Sequence, residues 1–375
     1  MNEIPYIPGL EGVPAGITKI CELDPGTGSL NYRGYDIHEL ARRSTFEETA
    51  YLLLMGSLPK AKELDGFRRE IAKNRTVPRE LLEFFGRLPR NAHPMDILKV
   101  GVATLGSYDP EADDNSHGAN LRKAIRLMAK MPTIAANGYR ASRGLPIVEP
   151  DQDLTQAENF LYMATGKRPE PFATRIFDAS MILYAEHEYN ASTFSARVTA
   201  STLSDMHSAV TSAIGTLKGA LHGGANEQAM KAILEIGTLE RAEPWVMDAL
   251  AQKKRVMGFG HRIYKKGDSR AIIMKEHSRE LGERMGAQHW YQISERIEEI
   301  MAREKKLYPN VDFYSATAYY LLGLPIELYT PIFACSRIAG WAAHITEQHD
   351  DNRLIRPKGI YQGLKGLKYV PVGER

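Results

Sequence analysis

The chain has 375 residues, 43% hydrophobic and 25% charged, with a formal net charge of +2. That length allows one large core or two unequal domains. A near-zero charge provides no strong global field for nucleic acid or an acidic membrane. Cys21 and Cys335 are the only cysteines, too few for a disulfide framework or a cysteine-rich zinc site, and a reduced cytoplasmic setting suits them. The opening MNEIPYIPGLEGVPAG lacks a basic segment followed by an apolar run, so no signal peptide is expected. No stretch approaches the roughly 18 apolar residues of a membrane span.

In chain order, Ile17–Leu23 and Ser29–Tyr32 alternate weakly and predict a hairpin around the turn Pro25-Gly26-Thr27-Gly28. Ser44 and Glu47 read as a capping box ahead of Tyr51 to Leu54, with Gly56 as the stop. Apolar residues then recur at three- and four-residue intervals, as in AENFLYMATG and SERIEEIMAREKK. They predict helices near 62–73, 79–87, 119–131, 154–165, 171–187, 195–219, 226–237, 243–254, 269–285, 289–306, 312–323 and 326–348. The expected fold is all-α with short connections and no repeat. Two glycine-bearing segments, LKGALHGGAN and VMGFGHRIYKKGD, mark tight turns around something.

Several standard sites fail on spacing. Gly258-Phe259-Gly260 would need its third dinucleotide-loop glycine where Ile263 stands, and no βαβ unit surrounds it. His344 and His349 are one residue too far apart for a zincin helix. There is no P-loop and no G-x-S-x-G elbow. What remains is a set of histidines, arginines and one aspartate. His187 lies in YAEHEYNAST, while His222 and His261 lie on the two glycine-bearing turns. Arg270 stands at an expected helix start, where Ser269 would serve as cap. Asp312 follows the turn Tyr308-Pro309-Asn310-Val311. Arg337 sits inside the apolar run FACSRIAGWAAH, where a charge needs an anionic partner. Arg356 precedes Pro357.

These residues fall in segments that occur in a fixed order: GLEGVPAG, LNYRGYDIHELA, STFEETAYLLLMGSLP, HEYNASTF, LHGGANEQAM, VMGFGHRIYKKGDSR, YPNVDFYSA, and SRIAGWAAHITEQ with NRLIRP. Together they resemble the citrate synthases and the related 2-methylcitrate synthases over essentially the whole chain. The resemblance implies a large helical domain from residues 1–218 and 326–375 and a smaller mobile one from 219–325, with substrates in the cleft between them. It implies Asp312 as the base that deprotonates the acyl-CoA and His222 as donor to the thioester oxygen. His261 would donate to the ketone oxygen of oxaloacetate. His187, Arg270, Arg337 and Arg356 would hold the dicarboxylate, with Arg356 contributed across a homodimer. The CoA adenine is expected beside the backbone of Arg255, Val256, Met257, Gly258 and Phe259. Lys306 is a candidate for the phosphates, alongside Arg262, Lys265, Lys266 and Lys305.

On this reading no metal or cofactor is required, and CoA thioester is a substrate. The expected reaction joins acetyl-CoA to oxaloacetate, with propionyl-CoA as the alternative substrate; a catalytically silent homologue and a metal-dependent hydrolase are the competing classes. Two positions depart from the family pattern. Ser269 stands where the family usually has proline, and Ala316 where many citrate synthases have glycine.

Overall fold

Helix dominates because the apolar periodicity does, and among the described residues the strands are confined to the N-terminal segment. The computed structural model describes residues 6–24, 28–260, 264 and 267–375. β1 (Cys21–Leu23), β2 (Leu30–Tyr32) and β3 (Tyr35–Asp36) form an antiparallel ribbon, Cys21 opposite Tyr32 and Leu23 opposite Leu30. This is the expected hairpin. Pro25, Gly26 and Thr27 of its turn lie outside the described residues; the Gly28 N–H donates to the Asp24 carbonyl at 2.8 Å.

The helices follow in sequence. The first four are α1 (Ile37–Arg43), α2 (Phe46–Met55), α3 (Ala61–Lys73) and α4 (Arg79–Gly86). Next come α5 (Pro94–Gly106), α6 (His117–Ser142), α7 (Gln156–Thr165) and α8 (Pro171–Tyr184). They continue with α9 (Ala191–Ser201), α10 (Met206–Leu217), α11 (Ala225–Ile236) and α12 (Leu239–Ala251). The last are α13 (Ser269–Arg284), α14 (Gln288–Lys305), α15 (Val311–Leu321) and α16 (Tyr329–Asp350). Among the described residues, no helix is long and apolar enough to cross a membrane.

Four sequence expectations need correction. The cap of α2 is Thr45, whose side chain accepts from the Glu48 N–H at 3.3 Å; Ser44 ends α1, and Glu47 is buried, accepting from the Gln156 N–H. α6 does not stop before Pro132 but runs to Ser142, since the residues from Met131 to Gly138 are all buried. Their packing outweighs the ~3 kcal/mol that an interior proline costs. The segment expected as one helix over 195–219 is two, broken where Leu203 adopts φ +65° and Asp205 caps α10 through the Ser208 N–H. Finally, Asp268 and not Ser269 caps α13. Two helices, α1 and α5, had no clear signal: α1 has only 7 residues, and α5 mixes Val, Thr and Gly into its apolar face.

α11 to α15 pack chiefly on one another, while α16 runs against α2, α5, α6, α8, α9 and α10. Every residue of α16 from Tyr329 to Thr346 is buried, which explains why that stretch is apolar on all faces. Gly340 lets it approach the end of α8. Its N–H donates to the Ala185 carbonyl at 3.1 Å, and a Cβ there would lie 2.5 Å from that same oxygen and overlap the Glu186 carboxylate. Gly340→Ala is therefore expected to destabilise the fold by about 1–3 kcal/mol, read as a lower urea midpoint with an unchanged m-value. An unaltered midpoint would show that α16 can shift freely.

Candidate active site

The site begins at the C-terminal end of α8, where the last carbonyls of a helix have no partners within it. Here arginines take them. Arg337, from the middle of α16, donates Nε–H to the Tyr184 carbonyl at 2.7 Å, and Arg270, from the first turn of α13, donates Nη1–H to the Leu183 carbonyl at 3.3 Å. A helix C-terminus is a favourable place for cations. Two guanidinium groups from elements far apart in sequence are thereby fixed side by side in sequence register on α8.

The two differ in what else holds them. Arg270 is paired in bidentate fashion with Asp268, Nε to Oδ1 at 3.0 Å and Nη2 to Oδ2 at 2.8 Å. Against the effect of burial, Asp268 holds this guanidinium above its usual range. Arg337 is 1% exposed, stacks its guanidinium 4.7 Å over the Phe333 ring, and has no hydrogen-bond partner at Nη1 among the described residues. Burial pushes its pKa down, with Glu186 the main opposing influence. A buried guanidinium with an unfilled N–H is suited to an incoming carboxylate, which its planar fork matches.

Asp312 stands in the first turn of α15, behind Asn310, whose side chain accepts from the Asp312 N–H at 3.1 Å. Burial raises its pKa to about 6, while a hydrogen bond from the Tyr184 hydroxyl to Oδ1 at 2.7 Å opposes the rise. Asp268 ties the pieces together. Its carboxylate accepts from the Arg270 N–H at 3.1 Å and from the Val311 N–H at 3.0 Å, so one side chain joins the starts of α13 and α15.

His222 is half-buried on the turn between α10 and α11. Its Nε2 accepts from the Ser192 N–H at 3.3 Å and lies 2.8 Å from the Ser192 hydroxyl. Because a backbone N–H can only donate, Nε2 is the acceptor nitrogen and Nδ1 carries the proton. Burial, then the Arg337 charge, lowers the His222 pKa to about 3, so the ring is neutral across the physiological range. His187 is 5% exposed, with Nε2 3.1 Å from the Tyr264 hydroxyl.

The GFG turn is laced to the approach to Asp312. The Gly260 N–H donates to the Tyr308 carbonyl and the Asn310 N–H to the Gly258 carbonyl, both at 2.9 Å. Gly258 has φ +86°, and a Cβ there would meet Phe313 at 2.9 Å, so only glycine fits. Of the expected CoA segment, Val256 and Gly258 are buried, Met257 and Phe259 half-buried, and Arg255 exposed. Lys306 is exposed and lines a cavity with Gly260, Tyr264 and Tyr308; Lys305 is exposed on the preceding turn. His261, Arg262, Lys265 and Lys266 lie outside the described residues. Arg356 is not brought to this site. It is exposed on the segment after α16, which has no helix or strand until the short turn at Val372–Glu374.

Sequence reasoning missed Tyr184, Asp268, Ser192 and Glu186, the buried partner of His344, with Oε1 and Nε2 2.9 Å apart. Each lies within a motif already singled out, but their contacts are tertiary and leave no periodic signal.

A buried carboxylate of raised pKa, a neutral histidine with a fixed tautomer and two buried arginines define a site for proton abstraction beside a carboxylate-bearing substrate, on an all-α frame. The family model "Citrate synthase, C-terminal domain" matches residues 9–358. The chain is 50% identical to citrate synthase 2 of Bacillus subtilis, covering 98% of each. It is 47% identical to the 2-methylcitrate synthase of Mycobacterium tuberculosis, covering 95% of this chain and 90% of that one. It superimposes with a TM-score of 0.93, at 34% identity and 98% coverage of each chain, on the citrate synthase of Thermoplasma acidophilum, solved as a ternary complex with carboxymethyl coenzyme A and oxaloacetate. The chain belongs to the citrate synthase family and is a condensing enzyme of that type.

Ionising Asp312 in the folded protein costs stability. Its carboxyl titrates near 3.8 when unfolded and at about 6 when folded. Between those values the folded state keeps a proton that the unfolded state has lost, so stability falls as pH rises through that window. Asp312→Asn is expected to match the parent protein below about pH 4 and exceed it by up to about 3 kcal/mol above pH 7. Urea unfolding at several pH values tests this, and a pH-independent difference would contradict it.

Proposed function

We propose that the protein condenses acetyl-CoA with oxaloacetate and water to give citrate and CoA, the entry step of the tricarboxylic acid cycle. The observation that carries this reading is the end of α8. There a carboxylate of raised pKa and a buried guanidinium whose Nη1 has no hydrogen-bond partner among the described residues share one residue, Tyr184.

Asp312 accepts a proton from the methyl carbon of acetyl-CoA. That proton is very weakly acidic, so its removal needs simultaneous stabilisation of the thioester oxygen. His222 supplies it by donating a hydrogen bond from Nδ1–H; a neutral donor that keeps its proton leaves an enolate carbon as nucleophile. Arg337, Arg270, His187 and Arg356 hold the two carboxylates of oxaloacetate. His261 donates to its ketone oxygen. The nucleophilic carbon bonds to the ketone carbon, the ketone oxygen becomes an alkoxide and takes a proton, and water then cleaves the thioester to release CoA. The scheme uses no metal or cofactor. Residues 219–325, from the turn carrying His222 to the end of the α11–α15 group, act as the small domain that closes over both substrates and excludes water.

A homodimer follows from the same reading, with Arg356 completing the partner's site. Its support is the segment after α16, which exposes Leu354, Ile360, Tyr361, Leu364, Leu367 and Tyr369, each by more than half, in a protein that should bury such a run against a partner. The cytoplasm suits the two free, buried cysteines.

Propionyl-CoA is the alternative substrate; 2-methylcitrate synthases stand among the relatives beside the citrate synthases and do not favour it over acetyl-CoA. One methylene in an apolar pocket is worth only about 1–3 kcal/mol. We expect kcat/KM for acetyl-CoA to exceed that for propionyl-CoA by about tenfold or more, read from initial rates of CoA release with oxaloacetate. The reverse ratio would make the protein a 2-methylcitrate synthase, and no release with either would point to a silent homologue. Shared sites predict a second result. Arg356→Ala and His222→Ala proteins, each inactive alone, should regain activity when mixed and allowed to exchange subunits. Proven heterodimers without activity would mean that each site is built within one chain.

A further inference from the structure

Tyr184 touches both halves of the site, and nothing in the family motifs assigns it a part. Its hydroxyl donates to Asp312 Oδ1 at 2.7 Å, its carbonyl accepts from Arg337 Nε at 2.7 Å, and its ring packs 4.6 Å from Phe333, the ring under the Arg337 guanidinium. The side chain is wholly buried. Burial and then the adjacent Asp312 charge hold the phenol well above its usual pKa, so it stays protonated and remains a donor.

We infer that Tyr184 is the positioning residue for the base: it holds Oδ1 of Asp312 by its hydroxyl, leaving Oδ2 to take the substrate proton, and registers that carboxylate against Arg337 by its carbonyl. This rests on the reading of Asp312 as the base. Among the described residues, the charged and titratable groups acting on Asp312 are Arg270 and Asp268 from the start of α13, Arg337 from α16, Tyr184 from α8, and Tyr319 from its own helix. The Tyr184 hydroxyl is the side-chain hydrogen-bond donor in that set, and it favours the ionised carboxylate. A phenol in this place therefore lowers the pH at which the base becomes available, and fixes which oxygen does the work.

The test compares Tyr184→Phe, Tyr184→3-fluorotyrosine introduced at that position alone, and Asp312→Asn, each by full pH–rate profiles. Losing the donor should move the acidic limb of kcat/KM up by about one pH unit and lower plateau kcat by about tenfold. KM for oxaloacetate should stay within about twofold, because the Tyr184 carbonyl remains. The fluorinated phenol, a stronger donor of nearly the same shape, should move the limb down; it decides the matter alone if the Phe variant does not fold. Limbs unchanged in both Tyr184 variants, or a loss confined to KM for oxaloacetate, would overturn the proposal while an inactive Asp312→Asn left the base assignment standing. Activity retained in Asp312→Asn would remove that assignment and the proposal with it.

Discussion

The constraint on which the site depends is the unsatisfied end of α8. A helix must find donors for its last carbonyls, and here two of them are met by guanidinium groups, Arg270 on Leu183 and Arg337 on Tyr184. Those bonds serve the fold and the chemistry together. They satisfy buried acceptors, and they fix in place the cations that a dicarboxylate would need. Gly340 allows the contact at the neighbouring carbonyl by lacking a side chain. The stretch of α16 buried from Tyr329 to Thr346 holds Arg337 at the required depth.

Depth is also the source of the site's reactivity. Asp312 is raised to about 6 because water is excluded, and His222 is lowered to about 3 for the same reason and because Arg337 is near. A single environment thus pushes a carboxylate toward useful basicity and keeps an imidazole neutral, as acid–base pairs in enzymes require. The cost falls on stability, since an ionised buried carboxylate and an incompletely bonded buried guanidinium both favour unfolding. The surrounding core, contiguous from the N-terminal ribbon to α16, offsets it.

What the sequence disclosed follows from what leaves a local trace. Helices with three- and four-residue apolar spacing were legible, as were the histidine and arginine positions, because a charge in FACSRIAGWAAH or a glycine pair beside His222 is visible without a structure. Resemblance supplied the roles. Tertiary compensation was not legible: Pro132 continues α6 because both sides of it are buried, and Leu203 breaks a helix because Asp205 offers a better start. Asp268 was passed over as a cap because Ser269, standing where the family usually has proline, was read as the cap, though Asp and Ser cap equally well. Its actual work, joining the starts of α13 and α15 while clamping Arg270, depends on a residue 43 positions away.

That clamp gives the two arginines unequal parts. Arg270 already has its anion, so a substrate carboxylate meeting it adds to a neutralised pair. Its contribution is geometric, a planar fork held in one orientation by Asp268. Among the described residues, Arg337 faces Glu186 without a hydrogen-bonded ion pair and retains an unfilled N–H at Nη1. A carboxylate arriving there relieves an existing penalty, so much of the free energy of dicarboxylate binding should arise at Arg337. The same arrival alters Asp312. Part of the positive field that favours its ionised form comes from Arg337, and neutralising that charge leaves the carboxylate a stronger base. Binding the first substrate would thereby raise the basicity needed to deprotonate the second. Electrostatics would then favour deprotonation once the dicarboxylate is in place, with His222 neutral and Tyr184 common to both steps.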